Sequence, residues 1–233
     1  MSHVAVLLNV DRVDYDRALA LQHRLLIERE SGSIPDTVVL LEHPPVFTIG
    51  RRGRPEHWGG DEQALRNAGF AIHHVERGGS ITYHGPGQLI GYPILKLATF
   101  CPGPKIYMSM LEEVLIRTLG DWNILANRIS GLTGVWIGEH KIAAMGVRIV
   151  RGIAMHGFAL NVDVDLTPFT RIVPCGIMGC RVTSMTAQLG RTVNLADVRA
   201  SLAKHFADVF HLEWSDSVDA VEPIMEIMTV RTV

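Results

Sequence analysis

The spacing of apolar residues along the chain predicts a mixture of helices and strands. Apolar side chains, among them Leu21 and Leu25, recur at helical spacing in residues 14–30, which predicts an amphipathic helix there. The same period, with suitable capping residues, predicts further helices over residues 61–68, 107–119 and 194–210. Gly120 is placed to end the helix over residues 107–119 as its C′ residue.

Short runs rich in β-branched and aromatic residues predict the strands. Residues 37–41 form a buried-strand pattern, and Val46–Ile49 reads as its continuation or partner beyond a Pro-Pro break. Residues 135–137 and 141–150 predict a hairpin. Other strands are predicted over residues 71–76, 80–83, 88–95 and 154–162. This pattern predicts an α/β fold in the α+β sense, with a mixed, largely antiparallel sheet flanked by helices, and it argues against a doubly wound nucleotide fold.

Composition fits one globular domain over residues 1–233, since no linker, repeat or low-complexity segment divides the chain. No apolar run approaches the ~18–20 residues of a membrane span, and no secretory signal is readable. Three cysteines, an odd number, argue against a disulfide framework and favour the cytoplasm. The formal net charge of −2 argues against a globally basic nucleic-acid binder.

The segment from Arg77 to Gln88 is unusually rich in glycine and also carries Tyr83 and His84. Glycines let a ligand approach the backbone, so this segment is predicted to be a binding loop, although a turn-rich hairpin would have a similar composition. It contains neither a Walker loop nor a dinucleotide-binding glycine pattern, so ATP or dinucleotide binding has little direct support.

Cys175 is the candidate nucleophile. Pro174 and Gly176 flank it, which favours an exposed turn over the buried setting of an average cysteine. A thiol with a reference pKa of ~8.5 needs a nearby cation to become a thiolate at neutral pH. Cys180 follows at a spacing that suits zinc poorly, so no metal site is predicted, and Cys101 is expected to be structural.

Lys141 opens an otherwise apolar strand. It is consistent either with a solvated strand end or with a cation that points into a cleft. His156 lies beside glycine in another apolar strand, where a satisfied core histidine is the commoner outcome. Small residues at Gly146, Gly157 and Ala159 suggest a groove for an aliphatic chain.

Five segments, in one order along the chain, closely resemble the octanoyltransferases of lipoate biosynthesis. They are residues 41–51, 77–92, 141–148, 156–161 and 172–177, the last followed by Val-Thr-Ser at 182–184. The resemblance implies a fold like the catalytic domain of biotin and lipoate protein ligases. It also implies transfer of an octanoyl group from octanoyl-acyl carrier protein to a lysine of a lipoyl domain, in 2-oxoacid dehydrogenase complexes or glycine cleavage H protein. No cofactor, metal, nucleic acid or membrane is implied.

The resemblance also implies roles for residues. Cys175 would carry the acyl thioester, and Lys141 would lower its pKa and shuttle protons. The residues implied to line the acyl site are Arg77, Gly78, Gly79, Ser80, Ile81, Thr82, Tyr83, His84, Ala144, Met145, Gly146, Gly157, Phe158 and Ala159. Cys180 departs from the family's minimum pattern, and on oxidation it is either inert or a disulfide partner of Cys175.

Other interpretations of the same residues stay open. An ATP-dependent lipoate or biotin ligase would share the fold but need no nucleophilic cysteine. A cysteine hydrolase would pair Cys175 with His84 or His156, whereas a binding module for carrier proteins would leave Cys175 inert. A cluster of Arg51, Arg52 and Arg54 suits an acidic protein partner and equally suits a solvated loop.

Overall fold

The computed structural model describes residues 2–215. Within them the chain forms twelve strands and five α-helices. The strands are β1 (His3–Arg12), β2 (Asp36–Glu42), β3 (Val46–Ile49), β4 (Ala71–His74), β5 (Ile81–His84), β6 (Gln88–Ile94), β7 (Asn127–Ile129), β8 (Leu132–Ile137), β9 (His140–Val150), β10 (Ile153–Asn161), β11 (Arg181–Val182) and β12 (Leu212–Trp214). The helices are α1 (Tyr15–Ser31), α2 (Glu62–Asn67), α3 (Pro104–Gly120), α4 (Met185–Leu189) and α5 (Leu195–Phe210).

The strands form a large sheet and a small one. The large sheet has the order β12-β1-β2-β6-β10-β9-β8-β7, with β11 paired to β9. Its pairs from β2 to β7 are antiparallel, while β1 runs parallel to both β2 and β12. The small sheet has the order β4-β3-β5. The predicted mixed, largely antiparallel architecture is confirmed.

Helices cover both faces of the large sheet. On one face α3 and α5 bury Leu111 and Phe206 in the largest hydrophobic cluster. On the other face α1 buries Leu21 and Leu25, as its apolar stripe predicted. The small sheet has a core of its own, which includes Phe47. None of the helices in residues 2–215 has the length and apolar character needed to cross a membrane.

Some local predictions are wrong or incomplete. Gly120 is the last residue of α3 rather than its C′ residue, since Asp121 keeps right-handed helical angles of φ −63° and ψ −19°. Strand β3 pairs with β4 and β5 and not with β2, so it belongs to the small sheet. Strand β1 was not predicted, and neither were the short strands β7, β11 and β12 or the short helix α4. Asn194 caps α5 as predicted, by accepting a hydrogen bond from the Ala196 N–H at 2.8 Å. The part of the predicted domain at Met1 and residues 216–233 lies outside the described residues.

Candidate active site

A cavity of about 670 Å³ collects most of the residues singled out in the sequence. Cys175 and Lys141 both line it. So do twelve of the residues implied to line the acyl site, which are Arg77, Gly79, Ser80, Ile81, Thr82, His84, Ala144, Met145, Gly146, Gly157, Phe158 and Ala159. They come from β5 and the segment before it, from β9 and from β10, so the cavity lies where the small sheet meets the large one.

Gly78 and Tyr83 do not line this cavity. The Tyr83 ring packs in the small-sheet core, 5.5 Å from the Phe47 ring and 5.6 Å from the Phe169 ring. Side chains alternate along a strand, so Tyr83 lies on the face of β5 opposite Thr82 and His84, both of which line the cavity. The Gly78 N–H instead donates to the Val147 carbonyl at 3.0 Å, which ties the glycine-rich segment to β9.

Two glycines of the expected groove make room for protein atoms. A Cβ at Gly146 would lie 2.6 Å from the Gly78 carbonyl oxygen. A Cβ at Gly157 would lie 2.1 Å from the Gly91 carbonyl oxygen on β6. Both glycines line the cavity. A side chain is nevertheless excluded at each position because the backbone of a neighbouring segment approaches so closely.

Cys175 lies in a tight, partly exposed turn, as its flanking proline and glycine predicted. Its backbone has φ +58° and ψ 10°, a left-handed conformation that is uncommon for a residue with a side chain. The Gly176 N–H closes the turn on the Val173 carbonyl at 3.0 Å, and the Val173 N–H donates to the His57 carbonyl at 2.7 Å. Cys175 therefore lies on a strained turn that backbone hydrogen bonds hold in place.

Lys141 is not a solvated strand end, because only 3% of the residue is exposed. Its Nζ lies 4.6 Å from the centroid of the Trp136 ring, a distance at which an ammonium and an aromatic face attract each other. Within residues 2–215 no carboxylate forms a salt bridge with it. A buried cation without a carboxylate is well placed to stabilise a thiolate.

Strand β11 explains how two distant parts of the chain come together. Val182 lies opposite Lys141 in a parallel pair, and the Thr183 N–H donates to the Lys141 carbonyl at 3.0 Å. The segment that follows the Cys175 turn therefore pairs with β9 next to Lys141. Burial raises the pKa of the Cys180 thiol, a shift that Lys141 opposes and Cys175 increases, so Cys180 lies within electrostatic reach of both.

Arg77 is a second buried cation. Its Nη2 donates to the Thr48 carbonyl at 2.6 Å and to the Thr48 hydroxyl at 2.7 Å, while its Nη1 donates to the Gly78 carbonyl at 3.0 Å. Burial lowers the pKa of the guanidinium, and negative charge on Tyr15 or Cys175 opposes that shift. Arg77 therefore adds positive potential near the thiol while it fixes the glycine-rich segment.

A hydrogen-bonded chain of buried side chains continues from Thr48. The His84 ring contacts Thr48 Oγ1 at 3.3 Å through Nε2 and Gln88 Oε1 at 2.8 Å through Nδ1. Gln88 Nε2 donates to Asn161 Oδ1 at 2.8 Å, and Asn161 Nδ2 donates to the Thr183 carbonyl at 2.9 Å. Burial lowers the pKa of His84 to about 3, so the ring is neutral and orients its neighbours. This series of hydrogen bonds ends at Thr183, the residue after β11, and β11 pairs with β9.

His156 is buried, but it is not the fully satisfied core histidine that was expected. Its backbone has φ +57°, and its N–H donates to Gln22 Oε1 at 2.8 Å. Its Nδ1 has no hydrogen-bond partner among the described residues. Burial lowers the pKa of this imidazole to about 3, so the ring is neutral.

Several lining residues were missed in the sequence, among them Tyr15, His57 and Tyr92. They lie outside the glycine-rich and cysteine-containing segments, and only their place in the fold brings them to the cavity. Arg51, Arg52 and Arg54 lie exposed at the cavity and contribute to its lining. Within residues 2–215 no group of three or more His, Cys, Asp or Glu side chains is arranged to hold a metal ion.

Comparisons with known proteins agree with this geometry. Residues 14–207 match the model of the lipoyl protein ligase A/B catalytic domain. The octanoyltransferase of Solibacter usitatus is 48% identical over 202 residues, which cover 87% of this chain and 91% of that protein. The octanoyltransferase of Geotalea uraniireducens is 44% identical over 200 residues, which cover 86% of this chain and 90% of that protein.

Solved structures give the same fold. A lipoate-protein ligase A bound with ATP has a TM-score of 0.74 at 17% identity, covering 97% of this chain and 93% of that chain. The bipartite lipoate protein ligase of Thermoplasma acidophilum has a TM-score of 0.73 at 18% identity, covering 96% of this chain and 91% of that chain. The fold expected from the sequence is confirmed, and the identity to the bacterial relatives over most of the chain shows that it belongs to the octanoyltransferase family of lipoyl protein ligase A/B catalytic domains.

Proposed function

We propose that this chain moves an octanoyl group from octanoyl-acyl carrier protein to a lysine of a lipoyl domain, through a thioester on Cys175. The observation that carries the proposal is that Cys175 and the buried Lys141 line one cavity of about 670 Å³, a volume typical of ligand sites. The acceptors are the lipoyl domains of 2-oxoacid dehydrogenase complexes and the glycine cleavage H protein. Residues 1–233 act as one catalytic domain in the cytoplasm.

In the first half-reaction, the Cys175 thiolate attacks the thioester carbonyl of the donor. The C–S bond to the carrier breaks with its electron pair on the carrier sulfur, and this thiolate takes a proton from the Lys141 ammonium, which becomes neutral. The Lys141 ammonium and the Arg77 guanidinium favour the thiolate before attack, since both are cations that line the same cavity. The acyl chain then lies along the lining contributed by β9 and β10.

In the second half-reaction, the amine nitrogen of the acceptor lysine bonds to the thioester carbonyl carbon, and the C–S bond breaks with its electron pair on the Cys175 sulfur. The amine proton passes to the neutral Lys141 amine, which becomes an ammonium again. A covalent intermediate suits this chemistry, because two protein substrates need to dock only one at a time. Developing negative charge on the carbonyl oxygen requires donors that are already in place. We assign this donor role to the backbone N–H groups of the glycine-bearing loops.

Both protein partners are expected to present acidic surfaces. Arg51, Arg52 and Arg54 are exposed around the cavity. Among residues 2–215, only Arg54 of these three forms a salt bridge, with Glu56 at 3.9 Å. Complementary charge speeds encounter and fixes orientation more than it adds affinity. This rim is therefore our proposed docking face for the carrier protein.

Intact-mass analysis tests the intermediate. After incubation with octanoyl-acyl carrier protein, the protein should gain one octanoyl group, mapped to Cys175. Cys180→Ser should gain it as the wild type does, and Cys175→Ser should neither retain the thioester nor support transfer. An adduct on Cys180 or transfer by Cys175→Ser would overturn the proposal. Transfer from free octanoate and ATP would indicate a ligase, and release of free acid faster than transfer would indicate a hydrolase.

A further inference from the structure

One buried side chain, Tyr15, lines two separate pockets of the molecule. It belongs to the lining of the cavity of about 670 Å³ that contains Cys175 and Lys141. It also lines a second pocket of about 300 Å³, to which Pro44 and Pro45 contribute. Among residues 2–215, Tyr15 alone is common to these two linings. Tyr15 therefore separates the catalytic cavity from the second pocket.

The catalytic cavity extends across the strands of the large sheet. Its lining includes Ala144 on β9, Ala159 on β10 and Tyr92 on β6, which are three neighbouring strands. Neighbouring strands lie ~4.8 Å apart, so β9 and β6 are ~10 Å apart. The Lys141 side chain reaches towards β8, because its Cε lies 3.3 Å from where a Cβ would stand at Gly134. The cavity thus has a catalytic side at β8 and β9 and a far side at β6.

This extent matches the length of an eight-carbon chain. With C–C bonds of ~1.52 Å and angles near ~111°, an extended chain advances ~1.25 Å per bond, so the seven bonds of an octanoyl group span ~9 Å. An octanoyl group on Cys175 that lies across β9 and β10 therefore brings its last carbons to β6. Ile90 and Tyr92 of β6 line the cavity there.

Tyr15 stands on this far side and is enclosed by other rings. The residue is 4% exposed, and its ring centroid lies 5.2 Å from those of His43 and His73. It also stacks on the His84 ring at 6.3 Å with an interplanar angle of 8°. The His43 ring in turn lies 5.9 Å from the Tyr92 ring, and its Nε2 is 2.6 Å from the Tyr92 hydroxyl. Tyr15 and Tyr92 therefore belong to one packed group, which holds the Tyr15 ring in place.

We infer that the Tyr15 ring closes the far side of the acyl site and sets the longest chain that Cys175 accepts; the inference rests on the proposed function. An octanoyl chain fills the cavity from Cys175 to this ring and leaves no apolar carbon in water. A longer chain must fold back or displace the ring, and one methylene in a close-fitting pocket is worth about 10–200-fold in discrimination. Removal of the ring joins the cavity to the second pocket, so chains of about ten to twelve carbons then fit.

Donors of different chain length test this role. Acyl carrier protein is loaded with octanoyl, decanoyl or dodecanoyl groups, so that the docking protein is the same for each donor. The rate of the Cys175 adduct is followed by rapid quenching and intact mass. The wild type should react with the dodecanoyl donor at least about 100-fold more slowly than with the octanoyl donor. Tyr15→Ala should raise the ratio of the dodecanoyl rate to the octanoyl rate by at least about 10-fold, whereas Tyr15→Phe keeps the ring and should retain the wild-type ratio.

A second substitution has a matched control in the core. Tyr15→Leu shortens the side chain and keeps it apolar, so it should also raise the ratio, and it decides the question if Tyr15→Ala does not fold. Tyr107 is 1% exposed in the core beneath α3 and does not line the cavity, so Tyr107→Leu should leave the ratio unchanged.

Two results would overturn the inference. An unchanged ratio in Tyr15→Leu, with all donors slowed equally, would show that Tyr15 only supports the fold. Equal rates with the three donors in the wild type would show that the cavity has no length limit at this ring. Absence of any Cys175 adduct from the octanoyl donor in the wild type would instead overturn the proposed function.

Discussion

At the scale of single residues, Lys141 is a buried side chain whose Nζ lies 4.6 Å from the centroid of the Trp136 ring. Lys141→Ala removes the amine that contacts the Trp136 ring and lines the same cavity as Cys175. We expect loss of at least about 100-fold in transfer rate with the fold retained, since a positioned proton donor contributes 10²–10⁴-fold. Steady-state transfer assays and circular dichroism measure the two effects. Lys105→Ala, on the exposed surface of α3, is the control, and an unchanged rate in Lys141→Ala would remove the lysine from the mechanism.

Single residues also show which features of the site depend on local sequence alone. Pro174 and Gly176 were enough to predict the turn at Cys175, because tight turns depend on neighbouring residues. The inward direction of Lys141 could not be predicted, since the same strand end suits a solvated side chain. Tyr83 faces the small-sheet core although its motif neighbours line the cavity, because a motif does not record which face of the strand is used.

At the scale of elements, the hydrogen-bonded chain from Thr48 to Thr183 joins the small sheet to the segment that pairs with β9. Asn161→Leu removes the link between Gln88 and Thr183. We expect it to cost about 1–3 kcal/mol of stability, because buried partners lose their hydrogen bonds, and to slow formation of the Cys175 adduct. Asn194→Ala, which removes the cap of α5, should cost about 1 kcal/mol without slowing the adduct. Urea unfolding and the rate of Cys175 adduct formation test both variants. Equal adduct rates in the two variants would contradict a link between this hydrogen-bonded chain and the reactivity of Cys175.

Close packing between strands predicts a second effect at this scale. Gly157→Ala would place a Cβ 2.1 Å from the Gly91 carbonyl oxygen, which belongs to the backbone of β6 and has little freedom to move. We expect it to cost about 1–3 kcal/mol or more, with a lower Tm. Gly120→Ala, where nothing lies within 4 Å and the backbone is helical, should instead raise stability by about 0.5–1 kcal/mol. If thermal unfolding shows that Tm changes in the same direction in both variants, this account is contradicted.

At the scale of the whole molecule, the periodic segments were predictable and the long-range pairings were not. The apolar stripes of α1 and α3 gave two helices and their buried faces, because their 3.6-residue period is local. Strand β1 lies inside the large sheet and was missed, although its residues 4–8 form an uninterrupted apolar run. The parallel pair of β11 with β9 involves two residues of β11 and has no readable sequence pattern, yet it brings the segment that follows Cys175 to Lys141.

The charge distribution over the molecule predicts how the donor docks. The net charge is −2, while Arg51 and Arg52 stand exposed at the cavity. Replacing both with glutamate should slow adduct formation from octanoyl-acyl carrier protein, with an effect that shrinks as salt rises. Octanoyl-coenzyme A or another small thioester, used as donor, should react with wild type and variant at similar rates. An equal loss with both donors would place these arginines in the chemistry rather than in docking.

Buried histidines predict how the stability of the whole fold depends on pH. Burial lowers the pKa of His43 to about 4 and of His84 and His156 to about 3, while an unfolded histidine titrates near ~6.5. Between these values the unfolded chain binds more protons, so stability is present above pH ~6.5 and is lost as the pH falls towards the folded values. At pH 5 each histidine accounts for a loss of about 2 kcal/mol relative to neutral pH. Urea unfolding at pH 7.5 and pH 5 should show this loss, and His156→Asn should reduce it by about one histidine's share. The exposed His74→Asn should leave it unchanged, and an equal pH dependence in His156→Asn and the wild type would contradict the assignment.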